Sequence, residues 1–222
     1  MLPLEELTLS GLLARTARTY PTRPAVWFDG KYTTYAELER QVIECAGRLM
    51  TLGVRRGDRV AILSDPRPYG IAAMYAVEDI GAVAVMLNTS LNLLELLPLI
   101  EQTGAEYLLL GHADKGDGYF EAELDGAVLP ECLHHIVSLR HNCGTYPVLG
   151  DLVPGDERAV RAAADAVTPQ DTATILFTSG STSRPKAVCT SHYSRVNGGI
   201  QQAFDLAMTC EDVVLIAMPI FH

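Results

Sequence analysis

Short apolar runs alternate with helical patterns between residues 59 and 110, and this alternation limits the folds open to the chain. The runs at residues 59–63, 83–87 and 107–110 are rich in aliphatic residues, which is typical of buried strands. Residues 69–80 and 92–103 between them carry apolar residues at helical spacing. Strand–helix–strand units of this kind favour parallel pairing, with helices packed on the faces of the sheet. The sequence therefore predicts an α/β fold.

Two local signals precede these units. Asp29 and Gly30 form a pair that favours a tight turn between antiparallel strands, so a hairpin is predicted there. Trp27, in the first strand of this hairpin, is expected to lie in the core. Thr34 and Glu37 have the spacing of a capping box, which predicts the start of a long helix.

The patterns weaken in the second half of the chain. Pro98 lies inside a predicted helix and lacks a backbone donor, so we expect it to kink that helix or end it early. Residues 140–171 contain Gly, Pro and charged residues without a strong period, which indicates a connection. We therefore predict that residues 1–168 form an N-terminal α/β subdomain and that residues 169–222 begin a second subdomain.

Composition and charge favour small-molecule partners. The chain has 222 residues, 48% of them hydrophobic, and a formal net charge of -10 without a basic run, which argues against nucleic-acid binding. No apolar stretch approaches the roughly 20 residues of a membrane-spanning helix, and the N-terminus lacks the basic region of a signal peptide. The five cysteines are scattered, as expected for free thiols in a reducing compartment. We predict a cytoplasmic protein.

One cluster of Cys and His residues is a candidate zinc site. Cys and imidazole side chains are the ligands that zinc prefers, but no Cys-x-x-Cys pair anchors the cluster. A surface hairpin that carries histidines is the preferred interpretation, and no metal ligand is predicted. The cluster comprises Cys132, His134, His135, His141 and Cys143.

The densest chemistry follows the apolar residues 173–177. Five hydroxyl side chains, a glycine and a lysine occur between Thr178 and Lys186, and an apolar pattern then resumes. A tight loop between two strands would turn its backbone N–H groups outward, and together with the hydroxyls and the ammonium group these suit a polyphosphate. A solvated Ser/Thr hairpin turn is the alternative that composition alone would favour.

The order of the residues favours the phosphate site. Thr-Ser-Gly-Ser-Thr-x-x-Pro-Lys at residues 178–186 resembles the phosphate-loop signature of the adenylate-forming (AMP-binding) superfamily. Ser183 and Ala187 stand where that family usually has glycine, so we expect backbone strain of roughly 1 kcal/mol if the loop needs a positive φ there. The Walker loop is a poor alternative, because Pro185 and Ala187 flank the lysine.

Weaker motifs extend the resemblance along the chain in the family's order. They include residues 34–38, 57–60 and 81–88, and Pro-Ile-Phe-His at residues 219–222 is similar to a segment of acyl- and aryl-CoA ligases. The resemblance implies the N-terminal part of an ATP-dependent, AMP-forming carboxylate:CoA ligase that uses ATP, Mg2+ and coenzyme A. It also implies that His222 lies near the acyl pocket and the route of coenzyme A. The implied phosphate-binding residues are Thr178, Ser179, Gly180, Ser181, Thr182 and Lys186.

The family's acidic metal motif, its ribose-binding aspartate and its late lysine would all follow residue 222. We therefore expect an N-terminal fragment that is inactive alone, with an apolar strand at residues 213–218 and exposed apolar surface that promotes self-association. Two alternatives stay open. One is a non-catalytic nucleotide- or partner-binding module, which the two missing glycines favour, and the other is an adenylation domain that feeds a carrier protein.

Overall fold

The computed structural model describes residues 7–111, 119–140, 146–178, 185–216 and 218–221. Helices and strands alternate along the chain, as the periodicity predicts. The elements are α1 (Leu9–Thr19), β1 (Pro24–Phe28), β2 (Lys31–Thr34), α2 (Tyr35–Leu52), β3 (Arg59–Ser64), α3 (Pro68–Asp79), β4 (Val83–Met86), α4 (Leu93–Thr103), β5 (Tyr107–Gly111), α5 (Tyr119–Leu124), β6 (His135–Ser138), a 3-10 turn (Leu149–Asp151), α6 (Glu157–Ala166), β7 (Thr172–Thr178), β8 (Lys186–Ser191) and α7 (His192–Asp205).

The main sheet has six strands in the order β6-β5-β3-β4-β7-β8. The five strands from β6 to β7 pair in parallel, whereas β8 runs antiparallel to β7 at the edge. This arrangement confirms the α/β prediction and makes the sheet mixed. Because β7 pairs with β4, the strand that follows the expected boundary near residue 168 belongs to the same sheet as β3 to β6. The division into subdomains stays a prediction.

Two apolar clusters cover the opposite faces of this sheet. The first contains residues of α2, α3 and α6 and includes Leu49 and Ile62, both fully buried. The second contains residues of α4 and α5 and includes Leu63 and Phe120. Neighbouring residues of β3 thus point to opposite faces, as the two-residue period of a strand requires.

The β1–β2 hairpin forms a separate two-stranded sheet. Asp29 and Gly30 both have positive φ, 49° and 74°, which is the turn geometry that the sequence predicts. Trp27 lies in β1 and is 58% exposed, so the expectation that it is a core residue is wrong. The reason is that a two-stranded ribbon outside the main sheet has too little surface to bury both of its faces.

Capping boxes fix the N-terminal ends of α2 and α4. Thr34 and Glu37 form a full capping box at α2, and Asn92 and Glu95 form another at α4. α4 continues through Pro98 to Thr103, so the expectation that the proline ends it early is wrong. The capping box and the buried apolar face of α4 offset the loss of one backbone hydrogen bond.

The segment after α7 departs from prediction. Residues 212–216 form no strand and pair with none that the structure describes, and Val213 and Leu215 are 91% and 86% exposed. The predicted apolar strand at residues 213–218 is therefore wrong over its described part, because a strand needs a neighbour to pair with. Phe221, just beyond, is buried in the first apolar cluster. Within the described residues, no helix has the length and hydropathy to cross a membrane.

Candidate functional site

The hydroxyl-rich segment connects β7 to β8, as the sequence predicts. Thr178 and Lys186 are the last Cα partners of this antiparallel pair, and both residues are exposed. β7 runs parallel to β4, so the connection leaves the sheet at the carboxyl end of a parallel strand. Crevices at this edge are where open α/β sheets bind their ligands. We call residues 178–186 the candidate phosphate loop.

The register places the two described ends of this loop on one face of the sheet. Directly opposed residues share a face, so the side chains of Thr178 and Lys186 lie together. Leu176, two residues earlier on β7, packs against the first apolar cluster. Thr178 follows it at the strand period and therefore belongs to the same face.

The Pro-Ile-Phe motif at residues 219–221 packs on this same face. Ile220 and Phe221 pack with the same apolar cluster as Leu176. The structure thus brings the two motifs of the sequence to one side of the sheet. Of the predicted site residues, it describes Thr178 and Lys186, whereas Ser179, Gly180, Ser181, Thr182 and His222 lie outside the described residues.

One described contact holds the C-terminal end of the loop. The Nε2 atom of Gln102 near the end of α4 donates to the carbonyl oxygen of Pro185 over 3.4 Å. Sequence reasoning missed this residue, since a glutamine at a helix end carries no signal for a partner 83 residues away. The contact ties the segment before Lys186 to the helix that covers the other face of the sheet.

The expectation of backbone strain at Ala187 is wrong. Among the described non-glycine residues, Asp29 and Ala207 have positive φ and Ala187 does not. Ala187 is a regular residue of β8, pairs with Phe177 and packs partly against the second apolar cluster. Ser183, the other position of this expectation, lies outside the described residues.

Ala187→Gly is therefore expected to destabilise the chain by about 1 kcal/mol and to leave ATP affinity unchanged, because glycine only weakens a regular strand. Urea unfolding measures the first effect and titration with Mg-ATP the second. Ala207→Gly is the matched control, since Ala207 does have a positive φ of 51° and should gain stability from glycine. Tighter ATP binding by Ala187→Gly would contradict this reading of β8.

A buried polar cluster involves Thr174 of β7, which precedes Thr178 by four residues. The hydroxyl of Thr174 on β7 donates to Glu78 Oε1 on α3 over 2.9 Å. Arg195 Nη1 on α7 lies 3.0 Å from the same oxygen and also donates to the Thr174 hydroxyl. Glu78 is fully buried, and this burial raises the pKa of its carboxyl to about 7 although Arg195 opposes the rise. Sequence reasoning missed the cluster, because its members come from three distant elements.

His192 at the start of α7 contacts α1. Its imidazole is fully buried, and Nδ1 accepts the backbone N–H of Leu9 over 3.2 Å. Burial lowers the pKa of this imidazole to about 4, so the ring is neutral at physiological pH. The side-chain contact that the structure describes for His192 is thus to α1.

A separate cavity of about 420 Å³ opens beside α2 and the start of α3. It is lined mainly by apolar atoms, with the guanidinium groups of Arg48 and Arg67 at its wall. Both groups already face carboxylates: Arg48 lies 3.8 Å from Glu44, and Arg67 lies 3.5 Å from Asp65. Among the described residues, its lining comes from β1, α2, Arg67 and the start of α3, Leu139 and the 3-10 turn, and it includes neither Thr178 nor Lys186.

The structure describes Cys132, His134 and His135 of the candidate zinc cluster. His135 stacks on Tyr107 with ring centroids 5.0 Å apart, and Cys132 Sγ lies 3.9 Å from the carbonyl oxygen of Ile100. His141 and Cys143 lie outside the described residues. Over the described ranges, no three His, Cys, Asp or Glu side chains are grouped so that they could hold a metal ion.

Comparison with known sequences identifies one family. The sequence model described as AMP-binding enzyme matches residues 13–222. The chain is 34% identical over 220 residues to 3-[(3aS,4S,7aS)-7a-methyl-1,5-dioxo-octahydro-1H-inden-4-yl]propanoyl:CoA ligase of Mycobacterium tuberculosis, with 97% of this chain and 42% of that protein covered. It is 33% identical to 2-succinylbenzoate--CoA ligase of Bacillus velezensis, covering 95% of this chain and 39% of that protein. The chain thus spans about two fifths of these relatives.

Solved structures agree with this result. The apo structure of MbtA from Mycobacterium smegmatis superposes with a TM-score of 0.84 at 26% identity, covering 99% of this chain and 40% of that one. O-succinylbenzoate coenzyme A synthetase (MenE) from Bacillus subtilis, solved in complex with AMP, gives a TM-score of 0.72 at 25% identity and covers 98% and 51%. The fold described above is therefore that of the first part of these proteins.

Proposed function

The chain belongs to the AMP-binding enzyme family, and we propose that it is the N-terminal part of an ATP-dependent, AMP-forming carboxylate:CoA ligase. The curated relatives named above are acid–CoA ligases. Because the chain spans about two fifths of their length, the activity of the whole protein is part of the proposal, and so is the inactivity of this chain alone. The observation that carries the proposal is the pairing of Thr178 with Lys186 at the carboxyl edge of the sheet.

The proposed reaction has two steps. A carboxylate oxygen of the substrate attacks the α-phosphorus of ATP, and the bond from that phosphorus to the bridging oxygen breaks as pyrophosphate leaves. The thiolate sulfur of coenzyme A then attacks the acyl carbon of the acyl-adenylate, and AMP leaves with the carboxyl oxygen. Both steps depend on positioning and on stabilisation of charge at phosphate oxygens more than on covalent chemistry by the protein.

The described residues of the candidate phosphate loop fit a nucleotide polyphosphate. Lys186 supplies a point charge and Thr178 a hydroxyl on the same exposed face, and both are groups that bind phosphate oxygens. Mg2+ would arrive with ATP and neutralise its phosphate oxygens, and it prefers hard oxygen ligands such as the Thr178 hydroxyl. We assign phosphate binding to Thr178, Ser179, Gly180, Ser181, Thr182 and Lys186.

Three further assignments extend the proposal. His222 is assigned to the wall of the acyl pocket, because it follows Phe221, which packs on the same face as the loop. Self-association is proposed through the exposed apolar residues 213–216. A cytoplasmic location remains a prediction that rests on the scattered cysteines.

Product analysis tests the proposed function. The complete protein is incubated with Mg-ATP, coenzyme A and a panel of fatty and aromatic acids, and the 222-residue chain is assayed beside it. We expect the complete protein to release AMP and pyrophosphate in equal amounts and to form one acyl-CoA per AMP, and we expect no turnover by the chain alone. Release of ADP and phosphate would contradict an AMP-forming ligase. Acyl transfer to a carrier protein in place of coenzyme A would favour the carrier-linked alternative.

A further inference from the structure

The two flanks of the candidate phosphate loop are tied to one buried carboxylate. β7 enters the loop and carries Thr174, which donates to Glu78 Oε1. β8 leaves the loop and continues directly into α7, which carries Arg195, and this arginine pairs with the same oxygen at 3.0 Å. Arg195 also donates to the Thr174 hydroxyl, so the three side chains close a ring of contacts. The elements before and after the loop in the chain, β7 and α7, are thus both held to α3.

We propose that Glu78 and Arg195 are positioning residues of the candidate phosphate loop. The inference rests on the proposed function, because it assigns the pair to the nucleotide site. Thr174 precedes Thr178 by four residues, so the ring lies about 13 Å along the strand from the loop. At that distance the pair does not touch the phosphates, and it acts through β7 and α7.

The energetics of buried ion pairs support a positioning role over a stabilising one. Glu78 is fully buried and the Arg195 side chain is 29% exposed, so forming the pair removes much of the hydration of two charges. Replacing such a pair by apolar residues of similar volume is often neutral, whereas removing one partner leaves a buried charge uncompensated. An apolar pair does not have the preferred angles and distances of a hydrogen bond. Hydrogen bonds therefore fix the position of α7 relative to β7, whereas an apolar contact would allow the two elements to shift along each other.

The apolar surroundings of the ring would accept such a replacement. Ala173 of β7 and Val196 of α7 pack together with Leu9 of α1 in a small apolar cluster beside Arg195. These contacts stabilise the packing of α7 against the sheet, but they do not select one alignment of α7 along β7. We infer that the ion pair selects one alignment and thereby fixes where β7 and β8 place Thr178 and Lys186, the described ends of the loop.

The test compares the double variant Glu78→Leu/Arg195→Leu with Leu49→Ala, a matched control. Leu49 of α2 is fully buried in the first apolar cluster and is not a member of the ring formed by Glu78, Arg195 and Thr174, so Leu49→Ala reduces global stability and leaves the ring intact. Amide hydrogen exchange is read at the β7–β8 pairs and at the β3–β5 pairs. We expect the double variant to lose less stability than Leu49→Ala, because the Thr174 hydroxyl is the one group of the ring that it leaves without these partners. We expect its β7–β8 amides to exchange about tenfold faster relative to β3–β5.

The control and a conservative variant separate positioning from stability. Leu49→Ala should accelerate exchange at both sets of pairs by the same factor. Arg195→Lys keeps the charge and should retain part of the β7–β8 protection. Equal exchange ratios in the parent and the double variant would overturn the proposal, and so would a loss of β7–β8 protection in Leu49→Ala that matches the double variant.

Titration of the complete protein and its variants with Mg-ATP, followed by the amide signals of Thr178 and Lys186, completes the test. We expect the double variant to bind about tenfold more weakly than the parent and Leu49→Ala to bind as the parent does. Unchanged affinity in the double variant would overturn the proposal even if exchange is faster. If the parent shows no response to Mg-ATP, the proposed nucleotide function fails, and the exchange ratios alone then decide whether the pair positions the loop.

Discussion

Lys186→Ala is expected to slow ATP–pyrophosphate exchange by about a hundredfold in the complete form of the proposed ligase. Lys186 ends the candidate phosphate loop opposite Thr178, where its ammonium group would hold phosphate oxygens as charge develops on them. Loss of one charge-assisted contact in a shielded site costs on the order of 2 to 3 kcal/mol, which corresponds to roughly a hundredfold in rate. Exchange at equilibrium with radiolabelled pyrophosphate measures the adenylation step without the thioester step.

The matched control is Lys31→Ala. Lys31 is also an exposed lysine at the start of an edge strand next to a turn, but it belongs to the separate β1–β2 hairpin. Its loss should leave the exchange rate within a factor of about two, since exposed charges contribute little. Wild-type exchange after Lys186→Ala would exclude this lysine from the phosphate site. A fall in both variants would point to a general loss of folded protein.

The elements that could be predicted from the sequence depend on neighbours along the chain. The capping box joins Thr34 and Glu37, which are three positions apart, and the turn at Asp29 and Gly30 depends on two adjacent residues. The strand-loop-strand setting of the candidate phosphate loop has the same local origin, because an apolar run, a hydroxyl run and a second strand follow directly. Signals of this kind are complete within a short window of sequence.

The features that could not be predicted depend on partners far apart. Glu78 and Arg195 are separated by 117 residues, and His192 accepts from a backbone group 183 residues away. Nothing in the sequence near Glu78 indicates that it is buried, because its helix could equally place it at the surface. The exposure of Trp27 has a similar cause, since only the topology shows that its hairpin stands outside the main sheet. For each of these, tertiary packing decided the outcome.

The second large effect concerns pH. Burial lowers the pKa of His192 to about 4, with Asp171 opposing and Arg195 adding to the shift, whereas an unfolded histidine titrates near 6.5. Between these values the unfolded chain binds more protons than the folded chain, so this group makes stability fall as pH falls. From pH 7 to pH 4.5 the loss is about 2 kcal/mol. Protonation also turns Nδ1 from an acceptor into a donor, which ends its hydrogen bond with the Leu9 N–H.

The His192 contribution appears as a difference between the parent and His192→Asn, which keeps an acceptor for Leu9 but does not titrate. The comparison is needed because burial raises the pKa of Glu78 to about 7 and that of Asp79 to about 6. Those carboxyls stabilise the fold as pH falls through the same range. Their effect therefore hides the contribution of the His192 imidazole when the parent is measured without the variant. Urea unfolding at pH 7, 5.5 and 4.5 should show the stability of the parent relative to His192→Asn declining by about 2 kcal/mol. A difference that stays constant with pH would mean that His192 titrates alike in the folded and unfolded chains.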